Sequence, residues 1–258
     1  MTAEPDRART VSPGTVLGGR YRLEERTGFD DWSDIWRAFD LAADRTVAVQ
    51  LHRFPSLPGA EFVQNQYRML TMIDHPGVLR AYDVGVDDPD LAYLVTEYHE
   101  HGRIVSKPRP LTPERVLELA AQAADALQAI HDQGLVYRSI HKGLSLRADG
   151  SVVLHQFGVT VPTDSPHLRY IVTSYAALEP ATTLTDLYDL GVSAYYCLNL
   201  TMPFGPGVRA RFEPPRWPNT VPPGVKEFVE RSFAFRPDDR WPSAAAMARA
   251  ARQLRSEL

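Results

Sequence analysis

An α+β fold is predicted for this chain, with a strand-rich part over residues 14–98 and a mainly helical part over residues 99–258. Three observations lead there. β-forming residues cluster between turn residues from Leu17 to Tyr98. Thr112-Pro113-Glu114 is a helix start: Thr as N-cap, Pro at the first helical position, an acid in the first turn. Helical patterns then dominate to the C-terminus. With 258 residues, 44% of them hydrophobic, the chain is long enough to bury a full core in one or two lobes.

Residues 1–13 are small, polar and Pro-containing, and read as a disordered tail without the features of a signal peptide. Tyr21 to Glu24, Ser33 to Ala38 and Arg45 to Gln50 read as three antiparallel strands. Pro55 to Gly59 breaks the pattern. A helix is expected from Ala60 to Ile73, with Phe62, Gln66, Met69, Leu70 and Ile73 on one face. Gly77 to Val86 and Ala92 to Tyr98 read as two more strands, making five. The helix opened by Thr112 carries an apolar stripe of Val116, Leu119, Ala123, Leu127 and Ile130, and Gly134 is a fitting stop. Residues 135–155 read as short β-like pieces with a turn at Ala148-Asp149-Gly150. A buried helix is expected over Thr185 to Leu200, and two more over Val225 to Phe233 and Ser243 to Leu258. The proline-rich stretch 202–223 is expected to be an ordered surface loop, because Phe204, Phe212 and Trp217 give it something to bury.

Net charge is -4 and no dense basic run is present, which argues against nucleic-acid binding. The single cysteine, Cys197, excludes a disulfide framework and reads as a buried reduced thiol. No apolar segment approaches the ~20 residues a spanning helix needs. The expectation is a soluble, cytoplasmic chain. Because it stops inside or just after a helical pattern, the cytosolic part of a longer or membrane-associated protein is a second expectation. His99-x-His101 resembles half a metal site, but no matching carboxylate or Cys pair follows, so no metal is expected. His131, His141 and His155 read as ordinary polar contacts.

Two short motifs add a family. Tyr137-Arg138-Ser139 and Gln156-Phe157-Gly158, the latter after a short apolar run, resemble the His-Arg-Asp and Asp-Phe-Gly motifs of protein kinases. Five strands plus one helix followed by helices is that family's two-lobed plan. The resemblance, nearest to bacterial eukaryotic-like Ser/Thr kinases, covers residues 17 to 256. It implies fold-holding roles for several residues. Ala48 matches the alanine that packs on adenine, and His75-Pro76 the turn after the first helix. Thr96, Glu97 and Tyr98 match the hinge. Arg138, Phe157 and Gly158 match the surviving halves of their motifs. Ala177-Leu178-Glu179 stands for Ala-Pro-Glu, with Arg240 as the usual partner of Glu179. Asp186 matches the helix aspartate that caps the catalytic-loop backbone.

At the chemical positions the residues are neutral. Phosphoryl transfer uses cations on the phosphates, carboxylates on magnesium and a base near the acceptor hydroxyl. The lysine position is Gln50 and its glutamate partner Gln66, so a buried ion pair is replaced without leaving one charge unpaired. The two amides are expected to be able to bond to each other. The base position is Ser139. The second metal position is Leu144, or Ser145 if the register shifts by one. The metal-binding aspartate position is Gln156, a weak oxygen donor for Mg²⁺. In place of Gly-x-Gly-x-x-Gly stands Gly28-Phe29-Asp30-Asp31-Trp32-Ser33. Gly28, Asp30, Ser33 and Ile35 thus line a vestigial nucleotide site, and Trp32 is a candidate to fill it. Thr160, Thr163, Ser165, Thr173 and Ser174 are hydroxyls that Arg138 would meet if phosphorylated.

These substitutions give the expectation of a pseudokinase: no enzyme, no cofactor, a scaffolding or regulatory module whose partner is another protein. By analogy with bacterial relatives, that partner is a phosphopeptide-binding or envelope signalling protein. Two alternatives stay open: a metal-independent sensor of a nucleotide or small molecule, and a residual or atypical phosphoryl or nucleotidyl transferase.

Overall fold

Strand pairing takes up the β-forming residues of the first hundred positions. In the computed structural model they build one antiparallel sheet of six strands in the order β1-β2-β3-β4-β6-β5. The strands are β1 (Val16–Leu17), β2 (Tyr21–Phe29), β3 (Ser33–Asp40), β4 (Arg45–Arg53), β5 (Ala81–Asp88) and β6 (Leu91–Glu97). The structure describes residues 11–29, 33–53, 58–88, 91–99, 109–165, 180–204 and 214–258. By its contacts the chain divides into two units: Met1–Thr71 with Leu79–His99, and Met72–Val78 with Glu100–Leu258.

In the first unit the period-2 alternation sends one set of side chains inward. Trp36 and Ala38 from β3, Val47, Val49 and Leu51 from β4, and Leu91, Tyr93 and Val95 from β6 form one buried cluster with Leu17, Tyr21 and Leu23. Each such aliphatic side chain contributes about 1.5–3 kcal/mol on burial. The sheet has one strand more than the five expected. The extra one, β1, is two residues long, too short for any alternation to show. β5 also starts at Ala81 rather than Gly77. Gly77 and Val78 are engaged elsewhere: the Leu154 amide donates to the Gly77 carbonyl at 2.8 Å, and Val78 bridges to Leu154. The helix α1 (Pro58–Thr71) buries Val63, Gln66 and Leu70. Phe62 and Met69, expected on that stripe, are half-buried, and Ile73 lies beyond the helix in the second unit.

The second unit is built on α2 (Pro113–His131), whose N-cap Thr112 accepts from the Arg115 amide at 3.3 Å. All five expected stripe residues are buried. After Gly134 (φ +69) the chain makes β7 (Leu135–Val136), the one-turn helix α3 (Ile140–Gly143), β8 (Leu144–Leu146), β9 (Val152–Leu154) and β10 (Val161–Pro162). α3 has four residues, which is too few to show a stripe. β8 pairs with β9 and β7 with β10. Then come α4 (Thr183–Asn199), opened by a Thr182/Thr185 capping box, α5 (Pro223–Ser232) and α6 (Ala244–Ser256). α2 packs against both α4 and α6. In the proline-rich stretch Trp217 meets Tyr195 edge-on at 4.7 Å and donates to Glu230 at 2.5 Å, while Phe204 meets Phe233 at 5.3 Å. Phe212 lies outside the described residues. Among the described residues no helix is long and apolar enough to cross a membrane.

One buried charge ties the sheet's turns together. The Asp40 carboxylate is fully buried and receives Arg20 Nε at 2.7 Å and Nη2 at 2.8 Å. The amides of Ala42 and Ala43 add bonds at 3.1 and 3.2 Å. The Arg20 hydrogen bonds, aided by these amides, hold the Asp40 carboxyl below its usual range even though burial opposes this. A depressed folded value means that the folded state favours the charged form. The stability it supplies is complete above the unfolded value near pH 4 and is lost as pH falls through the lower folded value. Asp40→Asn is therefore expected to melt well below the parent at neutral pH. The gap should narrow as both are titrated below about pH 4, as followed by circular dichroism.

Candidate functional site

One carboxylate organises the loop after β7. Asp186, in the first turn of α4, is fully buried. Its Oδ2 accepts from the Tyr137 amide at 2.9 Å and its Oδ1 from the Arg138 amide at 2.7 Å. His131 Nε2, at the end of α2, lies 2.9 Å from Oδ2. These bonds hold Arg138 at φ +64, a conformation that non-glycine residues seldom adopt. The Arg138 guanidinium, held below its ordinary pKa by burial, donates to the Val159 carbonyl at 3.3 Å. Asp186 thus caps the backbone of this loop. His131, expected to be an ordinary polar contact, shares the same carboxylate.

The residues at the chemical positions of this unit are all near that loop in sequence and differ in burial. Ser139 is buried and precedes α3. Leu144 is 3% exposed and pairs with Leu154 at the start of β8. Ser145, the alternative in the shifted register, is buried and its Oγ lies 2.8 Å from His155 Nε2. Gln156 has φ +66, and the single 3-10 turn Phe157–Val159 follows it. Phe157 packs on Tyr137 at 5.2 Å. Thr160, one of the candidate phosphoacceptors, is buried and donates to the Tyr137 carbonyl at 3.1 Å. Thr173, Ser174 and Glu179 lie outside the described residues. Arg240 is 1% exposed and donates to the carbonyls of Ala234 (2.8 Å), Leu184 (3.1 Å) and Phe235 (3.3 Å), with its guanidinium over Tyr188. A small apolar pocket between α2 and α4 is lined by Val116, Leu119, Leu144, Leu190 and Cys197, among others. Burial there pushes the free Cys197 thiol up to about 12.

The first unit carries the other matched positions. In β4, Ala48 stands opposite Arg37 and Thr96, and Gln50 opposite Ile35 and Leu94. Gly28 faces Ile35 across β2 and β3. Thr96 is buried, Glu97 Oε1 accepts from the Arg80 amide at 3.2 Å, and Tyr98 follows the strand half-buried. Ser33 is buried opposite His52. Asp30, Asp31 and Trp32 lie outside the described residues. Gln66 is 3% exposed, and its Nε2 has no hydrogen-bond partner among the described residues. Gln66 Nε2 therefore does not make the bond that the two amides could form with each other. Gln66 sits on a helix turned toward the sheet by its apolar neighbours, and that packing, not an amide pair, fixes it.

A sheet-rich unit with one helix, and a helical unit whose buried aspartate caps an arginine-bearing loop, define a protein-kinase fold. The chain belongs to the protein kinase domain family, whose model matches residues 35–250. It is 27% identical to serine/threonine-protein kinase PknA of Mycobacterium tuberculosis over 94% of this chain and 63% of that protein. PrkC of Bacillus subtilis is 27% identical over 91% of this chain and 40% of that protein. PkaA of Streptomyces coelicolor is 29% identical over 92% of this chain and 50% of that protein. The chain thus spans less than two-thirds of each of these relatives. Among solved structures, the PknI kinase domain of Mycobacterium tuberculosis superposes with a TM-score of 0.74 at 20% identity. That match covers 95% of this chain and 99% of that one.

These comparisons correct one expectation. The chain was expected to be no enzyme; it belongs to a kinase family, and these three relatives are named serine/threonine-protein kinases. Neutral residues at positions 50, 139, 144 and 156 say which groups are missing there, not what rate remains. A general base contributes ~10²–10⁴, a part of an acceleration that is commonly 10⁶-fold or more.

Asp186→Ala leaves two buried amides without an acceptor, each at about 1–3 kcal/mol. The variant is expected to lose about 3 kcal/mol or more, read as a lower urea midpoint.

Proposed function

We propose that this member of the protein kinase family acts through binding to another protein, as a regulatory or scaffolding module. The observation that supports this reading is an asymmetry within one loop. The residues that hold its backbone, Asp186, Arg138, Phe157 and Thr160, are buried and bonded. The positions that would carry metal and base are Ser139, Leu144 and Gln156. Any phosphoryl transfer by this chain draws on groups other than carboxylates at those positions. Its place is the cytoplasm, and its partner is a signalling protein that reads the surface of the fold.

A second reading is a metal-independent ligand sensor. Gln66 Nε2, which has no hydrogen-bond partner among the described residues, favours it, because a buried donor without an acceptor is costly and a bound oxygen would satisfy it.

Thermal melting with millimolar ATP, each with and without Mg²⁺, separates the readings. Ligand at 100 times its Kd stabilises by about 2.7 kcal/mol, and ~1 kcal/mol moves the midpoint of a chain this size by roughly 2–4 °C. The expected result is a stoichiometric protein complex recovered by cross-linking in the native cell, and its absence would overturn the binding-module reading. A shift with ATP alone would favour the sensor. A shift that requires Mg²⁺, with label transferred from ATP, would overturn the binding-module reading in favour of catalysis.

A further inference from the structure

The helix α6 carries no acid between Ala244 and Ser256, but it carries arginines at 249, 252 and 255. At that spacing they share one side of the helix. Its buried residues are Ala244, Met247, Ala248 and Ala251. An alanine offers one methyl group, so three of these four remove little apolar area from water. Polar ties to α2 therefore carry a large share of what holds α6. Arg252 pairs with Asp125, and Arg255 Nη2 lies 3.6 Å from Glu118 Oε2. The Ala245 amide donates to Gln128 Oε1 at 2.9 Å. Residues 118, 125 and 128 stand along one edge of α2, and buried Ala121 and Ala124 lie between them at helical spacing. The pairing is antiparallel: the start of α6 meets the end of α2, and its last turn meets the start.

We propose that α6 is a strap fastened to α2 by charge, which rising ionic strength releases while the rest of the helical unit stays folded. Ahead of α6, buried Arg240 donates to three carbonyls, and Trp241 Nε1 donates to Ser232 Oγ on α5 at 3.0 Å. The chain is pinned as far as Trp241, so the strap swings from Pro242 onward. Glu118 also holds Arg115 Nη1 at 2.9 Å, and Arg115 Nη2 donates to the Gly150 carbonyl at 2.7 Å. When Arg255 leaves, Glu118 keeps Arg115, and the turn between β8 and β9 keeps its tie to α2. The side chains of Arg252 and Arg255 are 53% and 49% exposed, so dissolved ions reach both. The screening length falls from about 10 Å at 0.1 M salt to about 3 Å at 1 M. Half-buried Leu254 closes on Gly224 of α5, an apolar contact that salt does not screen and that guides the strap back.

Hydrogen exchange on the full chain tests this, at about 0.1 M and about 1 M NaCl, with global melting as the control. Exchange of the Met247 to Ser256 amides is expected to rise about three- to tenfold at the higher salt. The protection of α2, α4 and the Gly150 turn is expected to stay as it was. Arg252→Glu should raise α6 exchange already at low salt. Adding Asp125→Arg rebuilds the pair with its charges exchanged, so protection should return, a non-additive pair. Arg252→Gln together with Arg255→Gln should abolish the response to salt. Protection of α6 that salt leaves unchanged would overturn the strap. So would a rise shared equally by α2 and α4, or an exchanged pair that restores nothing.

Discussion

Two neighbouring backbone amides in the loop after β7 point into the protein interior, where no water reaches them. Both are satisfied by one group, the carboxylate of Asp186, which also meets His131. Everything described around the loop follows from that arrangement. With both amides fixed, Arg138 is held in a left-handed conformation and its guanidinium reaches Val159. Tyr137 is aimed at Phe157 and His155. The helix that carries Asp186 must therefore sit at a fixed height beneath the loop. Its capping box and its packing on α2 set that height. A charge in the interior is tolerated here because three donors surround it.

The first unit uses a different device. Its sheet closes on an apolar cluster, but the turns at one end are bound by the Arg20 and Asp40 pair and by Tyr21, whose hydroxyl donates to Asp83 at 2.6 Å. Arg20 also lies 3.5 Å from Asp83. These four side chains tie β5 to β2 and β3, which lie some forty residues or more before it. The matched positions Ala48, Gln50 and Thr96 lie on two central strands of this sheet. Their backbone is fixed by neighbours on both sides, whatever residue occupies them.

Long periodic segments were legible in the residue pattern. Thr112-Pro113-Glu114 marks the start of α2 because capping and proline chemistry are local, and the α2 stripe is a 3.6-residue repeat. β1 and α3 were not legible, since two and four residues are shorter than any period. The start of β5 was misplaced for another reason. Gly77 and Val78 look like strand residues, but both amides donate to His75 and the Gly77 carbonyl accepts from Leu154, a partner that no local pattern foretells. Asp186 was picked out by its resemblance to the family's helix aspartate. His131 and Gly143 were not: one is a histidine among eight, and the other is a glycine whose need appears only when a tyrosine hydroxyl and a distant carbonyl meet beside it. That Gln66 Nε2 does not use the bond open to it with Gln50 has a similar cause. Residue types show what can bond, but the helix packing decides how the Gln66 amide is turned.

Cys197 is the chain's only thiol, buried on α4 beside the apolar pocket and hard to ionise. The thiolate is the form that attacks thiol reagents, so in the closed protein the reaction should be very slow. Modification then has to wait until α2 and α4 part. The protein thus carries a built-in clock: the labelling rate of a single sulfur counts openings of its helical unit, without any residue being changed.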